Sequence, residues 1–304
     1  MKHQKEKSQK QLLFVLGSAA CLTIAGAWLH RENTALGTSK ITLSDKNIPE
    51  AFHGFTIAQI SDLHNTRFGK NQRTLMEHLA NCKPDLIVVT GDLWDSRRTQ
   101  SVKIAADALR RAARLAPVYY VTGNHESRIP RAYQRLERRM RTIGVHVLHS
   151  QSVWLERQGQ RLQVIGMDDP AFYFSFPADG NQAEDGRAAQ ESAMLRELNR
   201  LVQQDAYTIL LSHRPDLFDG YCKAGVNLAF CGHAHGGQFR VPGFGGVYAP
   251  NQGIHPSYTE GCFTRSGTAM VVSRGLGNSL FPFRINNPPE LVAVTLEHVP
   301  EGGE

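Results

Sequence analysis

Apolar residues recur along this chain as short runs, and most runs end in a loop rich in Asp, His, Asn and Gly. Phe55 to Ile60 ends in Ser61-Asp62-Leu63-His64, Leu86 to Thr90 in Gly91-Asp92, and Val118 to Thr122 in Gly123-Asn124-His125-Glu126. Tyr207 to Leu211 ends in Ser212-His213-Arg214-Pro215, and Leu228 to Cys231 in Gly232-His233-Ala234-His235. Runs of four to six residues with this punctuation predict buried strands. Helical patterns, Gln72 to Asn81 and Val102 to Leu115, separate the first three runs. Strands alternating with helices predict a layered α/β fold, in which loops at the carboxyl ends of strands converge on one site.

The later chain reads differently. Val153-Trp154-Leu155 and Leu162 to Gly166 flank Arg157-Gln158-Gly159-Gln160, which predicts a hairpin. Val247-Tyr248, Ala269 to Ser273 and Leu291 to Leu296 also read as strands, so a second sheet is expected to pack on the first. Residues 170–193 have poor periodicity and carry Phe172, Tyr173, Phe174 and Phe176. They read as a loop pinned by buried aromatics, with a lid as the alternative.

One segment breaks the globular pattern. Residues 12–29, LLFVLGSAACLTIAGAWL, hold no formal charge and are about long enough to span a bilayer core. Residues 1–11 carry four lysines against one glutamate, which predicts a cytoplasmic tail and the rest of the chain on the other side. A cleaved signal peptide is the rival, because Ala25-Gly26-Ala27 is an A-x-A pattern. The organisation read from the chain is therefore a basic tail (1–11), an anchor (12–29), a linker leading into the domain (30–50) and one domain over 51–304.

Composition narrows the class. With 304 residues, 41% hydrophobic and 20% charged, the chain can bury a large core without disulfides and is neither disordered nor a coiled coil. Four cysteines beyond the anchor, Cys82, Cys222, Cys231 and Cys262, form no CxxC pair, and Cys231 reads as a small buried hydrophobe. Net charge is +6, concentrated between Arg97 and Arg141, where twelve Lys/Arg meet three Asp/Glu. Within Ser127 to Gly144, Ala132, Leu136, Met140 and Ile143 fall at helical spacing. That segment reads as a solvated helix with one buried stripe, or as a surface for phosphate-bearing substrate or anionic lipid.

The strand-end residues carry the chemistry. Asp62, His64, Asp92, Asn124, His125, His213, His233 and His235 are the ligand types of a divalent transition-metal site, and their number suits two ions with a shared carboxylate. Asp-x-His and His-x-His would aim both members to one side in an extended segment. Singly each motif is common; five in order, each directly after an apolar run, are not.

In these motifs the chain resembles the calcineurin-like metallophosphoesterases, whose pattern is D-x-H, G-D, G-N-H-D/E, a lone H and G-H-x-H. Here these are Asp62-Leu63-His64, Gly91-Asp92, Gly123-Asn124-His125-Glu126, His213 and Gly232-His233-Ala234-His235. Gly-His-x-His-Gly-Gly-Gln and Ser-His-x-Pro-Asp are similar to the membrane-anchored bacterial branch. The resemblance implies a four-layer αββα sandwich behind one N-terminal transmembrane or signal-anchor helix, and two divalent ions, Mn²⁺, Fe or Zn²⁺. It implies that Asp62, His64 and His235 hold one ion, that Asn124, His213 and His233 hold the other, and that Asp92 bridges. It further implies hydrolysis of a phosphoester, expected to be a diester, by in-line attack of a hydroxide held between the ions, with His125 as general acid. Expected partners are a phosphoester, lipid-linked if it lies in the envelope, and the membrane; nucleic acid is not expected. The rivals are a UDP-linked lipid A precursor pyrophosphatase, a nuclease or nucleotidase of the same superfamily, and a metal-binding membrane protein without activity.

Overall fold

The computed structural model describes residues 2–95, 97, 102–173, 184–279 and 281–300. It opens with helix α1 (Lys2–Thr34), whose stretch Leu13–Thr34 is long and apolar enough to cross a membrane and is not covered by the rest of the protein. The chain then builds two six-stranded sheets. The first contains β1 (Gly37–Asp45), β2 (Thr56–Ile60), β3 (Leu86–Thr90), β4 (Val118–Val121), β5 (His146–Val147) and the last strand, β16 (Glu290–His298). The second contains β6 (Gln151–Arg157), β7 (Gln160–Gly166), β8 (Thr208–Leu211), β9 (Leu228–Cys231), β14 (Gly261–Arg265) and β15 (Thr268–Val272). Two-residue ladders β10–β11 (Arg240–Val241 with Gly245–Gly246) and β12–β13 (Tyr248–Ala249 with Gly253–Ile254) follow β9.

Strand alternation makes the layers. In β3, Leu86 and Val88 face the second sheet while Ile87 and Val89 face helices α2 (Arg73–Cys82), α3 (Lys103–Ala112) and α5 (Pro130–Thr142). In β9, Leu228 and Phe230 face the first sheet while Ala229 and Cys231 face α6 (Glu184–Leu201) and α7 (Phe218–Lys223). Because consecutive side chains point to opposite faces, each central strand seals two apolar layers at once. The result is helices, sheet, sheet, helices: the expected four-layer αββα sandwich. Short helix α4 (Asn124–Ser127) follows β4 at the sheet edge.

Sheet order departs from the linear reading. The first sheet runs β1-β16-β2-β3-β4-β5, so Leu291 to Leu296 completes the first sheet and not the second. The second runs β14-β15-β9-β8-β7-β6 and takes in Tyr207 to Leu211 and Leu228 to Cys231. Gly37–Asp45, within the stretch expected to be linker, is an edge strand paired with β16. Its sequence is mostly polar, but Ile41 and Leu43 alternate toward the layer between the sheets. The β6–β7 hairpin turns through Gln158 and Gly159, both at positive φ (50° and 78°), as a two-residue primed turn requires. Val247-Tyr248 contributes only a two-residue ladder.

Residues 170–193 split in two. Phe172 is half-buried and packs edge-on against Tyr133 at 5.5 Å, which pins the start of the segment, and residues 184–201 are helix α6. Phe174 and Phe176 lie outside the described residues. The basic segment forms α5, whose Ala132, Leu136 and Met140 are buried as the spacing predicted. All five cysteines are free, and Cys231 is buried.

Candidate metal centre

Strands β2, β3 and β4 of one sheet and β8 and β9 of the other deliver their carboxyl ends to one edge of the sandwich, and every candidate ligand follows one of these ends. The backbone there is not extended. Asp62, His64, Asp92, His233 and His235 all have positive φ, between 44° and 66°. Non-glycine residues rarely adopt this left-handed region, and clusters of them mark functional sites. The alternation argument for Asp-x-His and His-x-His is therefore corrected: the paired side chains converge through left-handed turns and not through extended geometry. The turns need close backbone approach. A Cβ on Gly91 would lie 2.4 Å from Gly123 N, and one on Gly123 would lie 2.3 Å from Asp92 Oδ1.

The donor atoms fall into two triads. In one, Asp62 Oδ1 lies 3.3 Å from His235 Nε2 and 3.9 Å from His64 Nε2, and the two imidazole nitrogens are 3.2 Å apart. In the other, His213 Nε2 lies 3.3 Å from Asp92 Oδ2 and 3.1 Å from His233 Nδ1. Asp92 Oδ2 is also 3.7 Å from His64 Nε2, so its carboxylate stands between the triads. Asn124 Oδ1 is buried and has no hydrogen-bond partner. All of these side chains except Asn124 are essentially inaccessible to solvent.

Neighbouring groups choose which nitrogen each ring offers. His213 Nδ1–H donates to the Thr90 carbonyl at 2.6 Å, so Nε2 is the nitrogen that faces Asp92 and would be the one to ligate an ion on losing its proton. His233 Nε2–H donates to Asn251 Oδ1 at 2.7 Å, so Nδ1 is the free nitrogen. Such outer partners fix the tautomer of metal-binding imidazoles. His64 and His235 keep buried Nδ1 atoms without partners and turn Nε2 toward each other.

The electrostatics are those of a site short of positive charge. Burial raises Asp62 to about 6, with the charge of Asp92 adding to the effect. Burial opposes protonation of His213, yet Asp92 and Asp62 together push it up to about 10. Burial drives His64 down to about 3 and lowers His233 and His235 as well, leaving neutral rings of the kind that ligate metals. Two carboxylates, four imidazoles and an unpartnered amide oxygen, packed this closely, fit divalent transition ions.

His125 sits beside the triads. Its ring meets His64 edge-on at 4.8 Å, its Nδ1 lies 3.4 Å from Asp95 Oδ1, and its backbone N–H donates to Asp92 Oδ1 at 2.8 Å. Burial works against a charged Asp95, but hydrogen bonds from His125 and Arg97 hold its carboxyl well below the usual range. Glu126 clamps the two adjacent loops, accepting from the N–H groups of Asp92 (3.0 Å), Leu93 (2.9 Å) and Gly123 (2.8 Å).

All eight residues singled out from the sequence meet at this edge. Several supporting residues were not singled out. Asp95 sits three positions after Asp92, a spacing that could have drawn attention to it. Asn251 orients His233, but nothing in its sequence setting signals that role. Gly277 passes against His64, where a Cβ would lie 2.8 Å from His64 Cβ, and buried Arg284 bonds the Gly275 and Gly277 carbonyls. Asn287 Nδ2 donates to the His235 carbonyl at 2.7 Å. Lys103, Arg110 and Arg111 of α3 and Arg139 of α5 meet elsewhere: with Arg67 they line a cavity of about 550 Å³ that includes none of the candidate ligands.

Comparison with known proteins agrees with this geometry. The model of the calcineurin-like phosphoesterase family matches residues 55–237. An uncharacterized metallophosphoesterase of Bacillus subtilis, YkuE, is 29% identical over 305 residues, spanning 96% of this chain and 99% of its own. The phosphodiesterase YaeI of Escherichia coli is 27% identical over 246 residues, covering 80% of this chain and 82% of its own. A zebrafish (Danio rerio) protein described as a transmembrane protein with a metallophosphoesterase domain is 23% identical over 269 residues, covering 83% of this chain and 55% of its own. With the family pattern matched over most of the domain and its ligand residues gathered at one edge, the chain belongs to the calcineurin-like phosphoesterase family.

Proposed function

We propose that this protein is a membrane-anchored, metal-dependent phosphodiesterase acting on a phosphoester of the cell envelope. The observation that carries the reading is the pair of donor triads with the Asp92 carboxylate between them and His125 alongside. Asp62, His64 and His235 would hold one divalent ion; His213, His233 and Asn124 would hold the second; Asp92 would serve both. Two such ions, Mn²⁺, Fe or Zn²⁺, supply charge neutralisation for a phosphoryl group and lower the pKa of water at the site.

The chain's own groups do the rest. The buried, left-handed ligand loops hold the donors before substrate arrives, so little reorganisation is needed at the moment of reaction. His125 delivers a proton to the departing oxygen, and Asp95, 3.4 Å from its Nδ1, keeps the ring turned toward the site. Diester preference is supported by the name of the Escherichia coli relative. Anchoring is supported by the apolar stretch Leu13–Thr34, with the lysines ahead of it favouring a domain outside the cytoplasm.

The test is turnover of bis(4-nitrophenyl) phosphate and of 4-nitrophenyl phosphate by the full chain, after chelation and after return of each metal. The reading expects activity only with metal and a faster diester. Activity indifferent to chelation would defeat it, and a faster monoester would remove the diester preference. A reporter fused after Glu304 checks sidedness: alkaline phosphatase should be active there and green fluorescent protein dark.

A further inference from the structure

The end of α1 is bonded to the segment that backs the metal ligands. Asn33 Oδ1 accepts from Asn278 Nδ2 at 2.9 Å and from the Arg284 N–H at 3.0 Å. Glu32 carboxylate accepts from the Asn287 N–H at 3.0 Å. Asn287 in turn donates to the His235 carbonyl, and Arg284 to the Gly277 carbonyl behind His64. The last turn of the apolar helix is thus two residues removed from the candidate ligands. The helix is docked to the domain, and its direction is set relative to the site.

Around that docking point the surface is apolar where a soluble face would be polar. Phe244, in the turn joining β10 to β11, is 80% exposed, and Ile254, on β13, 71%; both ladders follow the His233–His235 loop. Val241 and Phe281 are exposed as well, and the Phe281 ring meets Phe239 at a tilt, 4.9 Å between centroids. Phe239 bridges to Ile285, next to Arg284, and Arg240 N–H donates to the Ile285 carbonyl at 3.0 Å, so ladders and helix end share one continuous surface. Trp28 is exposed on α1, just before His30, Arg31 and Glu32. A Trp followed by charged residues marks where a spanning helix leaves the hydrocarbon. The 22-residue stretch Leu13–Thr34 is about 33 Å long at 1.5 Å per residue, enough to cross that core, and its far end is the part bonded to Asn278, Arg284 and Asn287.

We propose that the domain lies with its metal-ligand face on the bilayer, seated through Val241, Phe244, Ile254 and Phe281 at the level of the lipid headgroups. This inference rests on the anchoring reading given above. Exposed aromatic and aliphatic side chains beside an interfacial helix end gain from entering the headgroup–acyl boundary, whereas in water they form a patch of the kind that soluble monomers avoid.

Tryptophan quenching in the full chain tests the proposal. The protein is reconstituted in vesicles of phosphatidylethanolamine and phosphatidylglycerol with acyl chains brominated near the glycerol. Trp94 is buried in the domain and constant. In the Trp154→Phe protein, Trp28 then reports on the helix. In the Trp28→Phe, Trp154→Phe, Phe244→Trp protein, the introduced indole reports on the face. Far-ultraviolet circular dichroism of each variant must match the parent. Loss of emission in both proteins, relative to unbrominated vesicles, is the expected result. Quenching of Trp28 with no quenching in the Phe244→Trp protein would overturn the seating and leave the anchor standing; such a face would be free for a protein partner or a second copy. No quenching in either would overturn the anchor and the seating together.

Discussion

The ligand edge and the apolar layer between the sheets are made by the same five strands under opposite rules. Along β2, β3, β4, β8 and β9, residues such as Ile57, Val88, Val121, Ile209 and Phe230 alternate into a buried layer that needs only volume and shape. Just beyond the strand ends, the loops after β2, β3 and β9 turn left-handed, and with those after β4 and β8 they crowd carboxylates and imidazoles into a space closed to water. The first region gains stability on folding. The second costs it, through desolvated charge and backbone strain, until cations arrive. Function is thus held at the boundary of a layer rigid enough to keep unfavourable neighbours together.

This contrast can be broken by substitution. The largest effect is expected at the centre of the ligand edge. Asp92→Asn should remove most bound metal and cut aryl phosphodiester turnover by about 10³-fold or more, the scale set by losing preorganised charge stabilisation. The metal-free protein should also lose some thermal stability, because buried His213 is left without the carboxylate that favours its charged form. Wild-type turnover with undiminished metal content would refute the assignment of Asp92 to the space between the triads.

His125→Ala should keep both metals and lower the rate by about 10²–10⁴, the usual share of general acid catalysis. The deficit should shrink for nitrophenol leaving groups, which need little protonation. If elemental analysis finds metal lost with activity, His125 is a ligand and not an acid. Asp95→Asn should give a smaller loss in the same direction, with metal content unchanged.

Ile57→Ala probes the apolar layer. It should cost about 2–5 kcal/mol, as large-to-small core changes do, while metal content and turnover per folded molecule stay at the parent value. An enzyme of normal stability but impaired chemistry would show that the two regions are not separable in this way.

The smallest effect concerns His149. Its hydrogen bond with the Asp168 carboxylate raises its pKa against the opposing effect of burial, and Glu137 raises it further. A raised histidine stabilises the fold fully below its ordinary value of 6.5, and that contribution fades as pH climbs through the folded value. The urea midpoint of the parent should therefore fall more between slightly acidic and alkaline pH than that of His149→Gln. Parallel pH profiles for the two proteins would show that the pair contributes nothing.

How much the sequence disclosed follows the same division. The apolar runs and the loops at their ends were legible because buried strands and buried metal ligands both demand narrow residue types. The reason offered for Asp-x-His pairing was not correct, since a left-handed turn leaves no mark in residue identity when Asp and His adopt it. β1 was hidden because an edge strand with one half-exposed face tolerates Thr, Ser and Lys. The place of β16 in the first sheet was hidden because sheet order is a long-range property. The roles of Asn251, Arg284 and Asn287 escaped for a related cause: each acts through a hydrogen bond to a residue distant in sequence, and an isolated Asn or Arg looks like any surface residue.

The position of β16 has a further consequence for how the molecule is made. This last strand lies between β1 and β2, pairing with nine residues of one and four of the other. While the nascent chain is still growing, β1 and β2 each present an open edge with nothing to join them. Closing that gap requires a contact across nearly the whole chain, the slow kind of step in folding. A chain ended prematurely would expose two unpaired edges, which invites aggregation and proteolysis. Completion of the first sheet thus waits on the arrival of β16, long after β1 and β2 have been made.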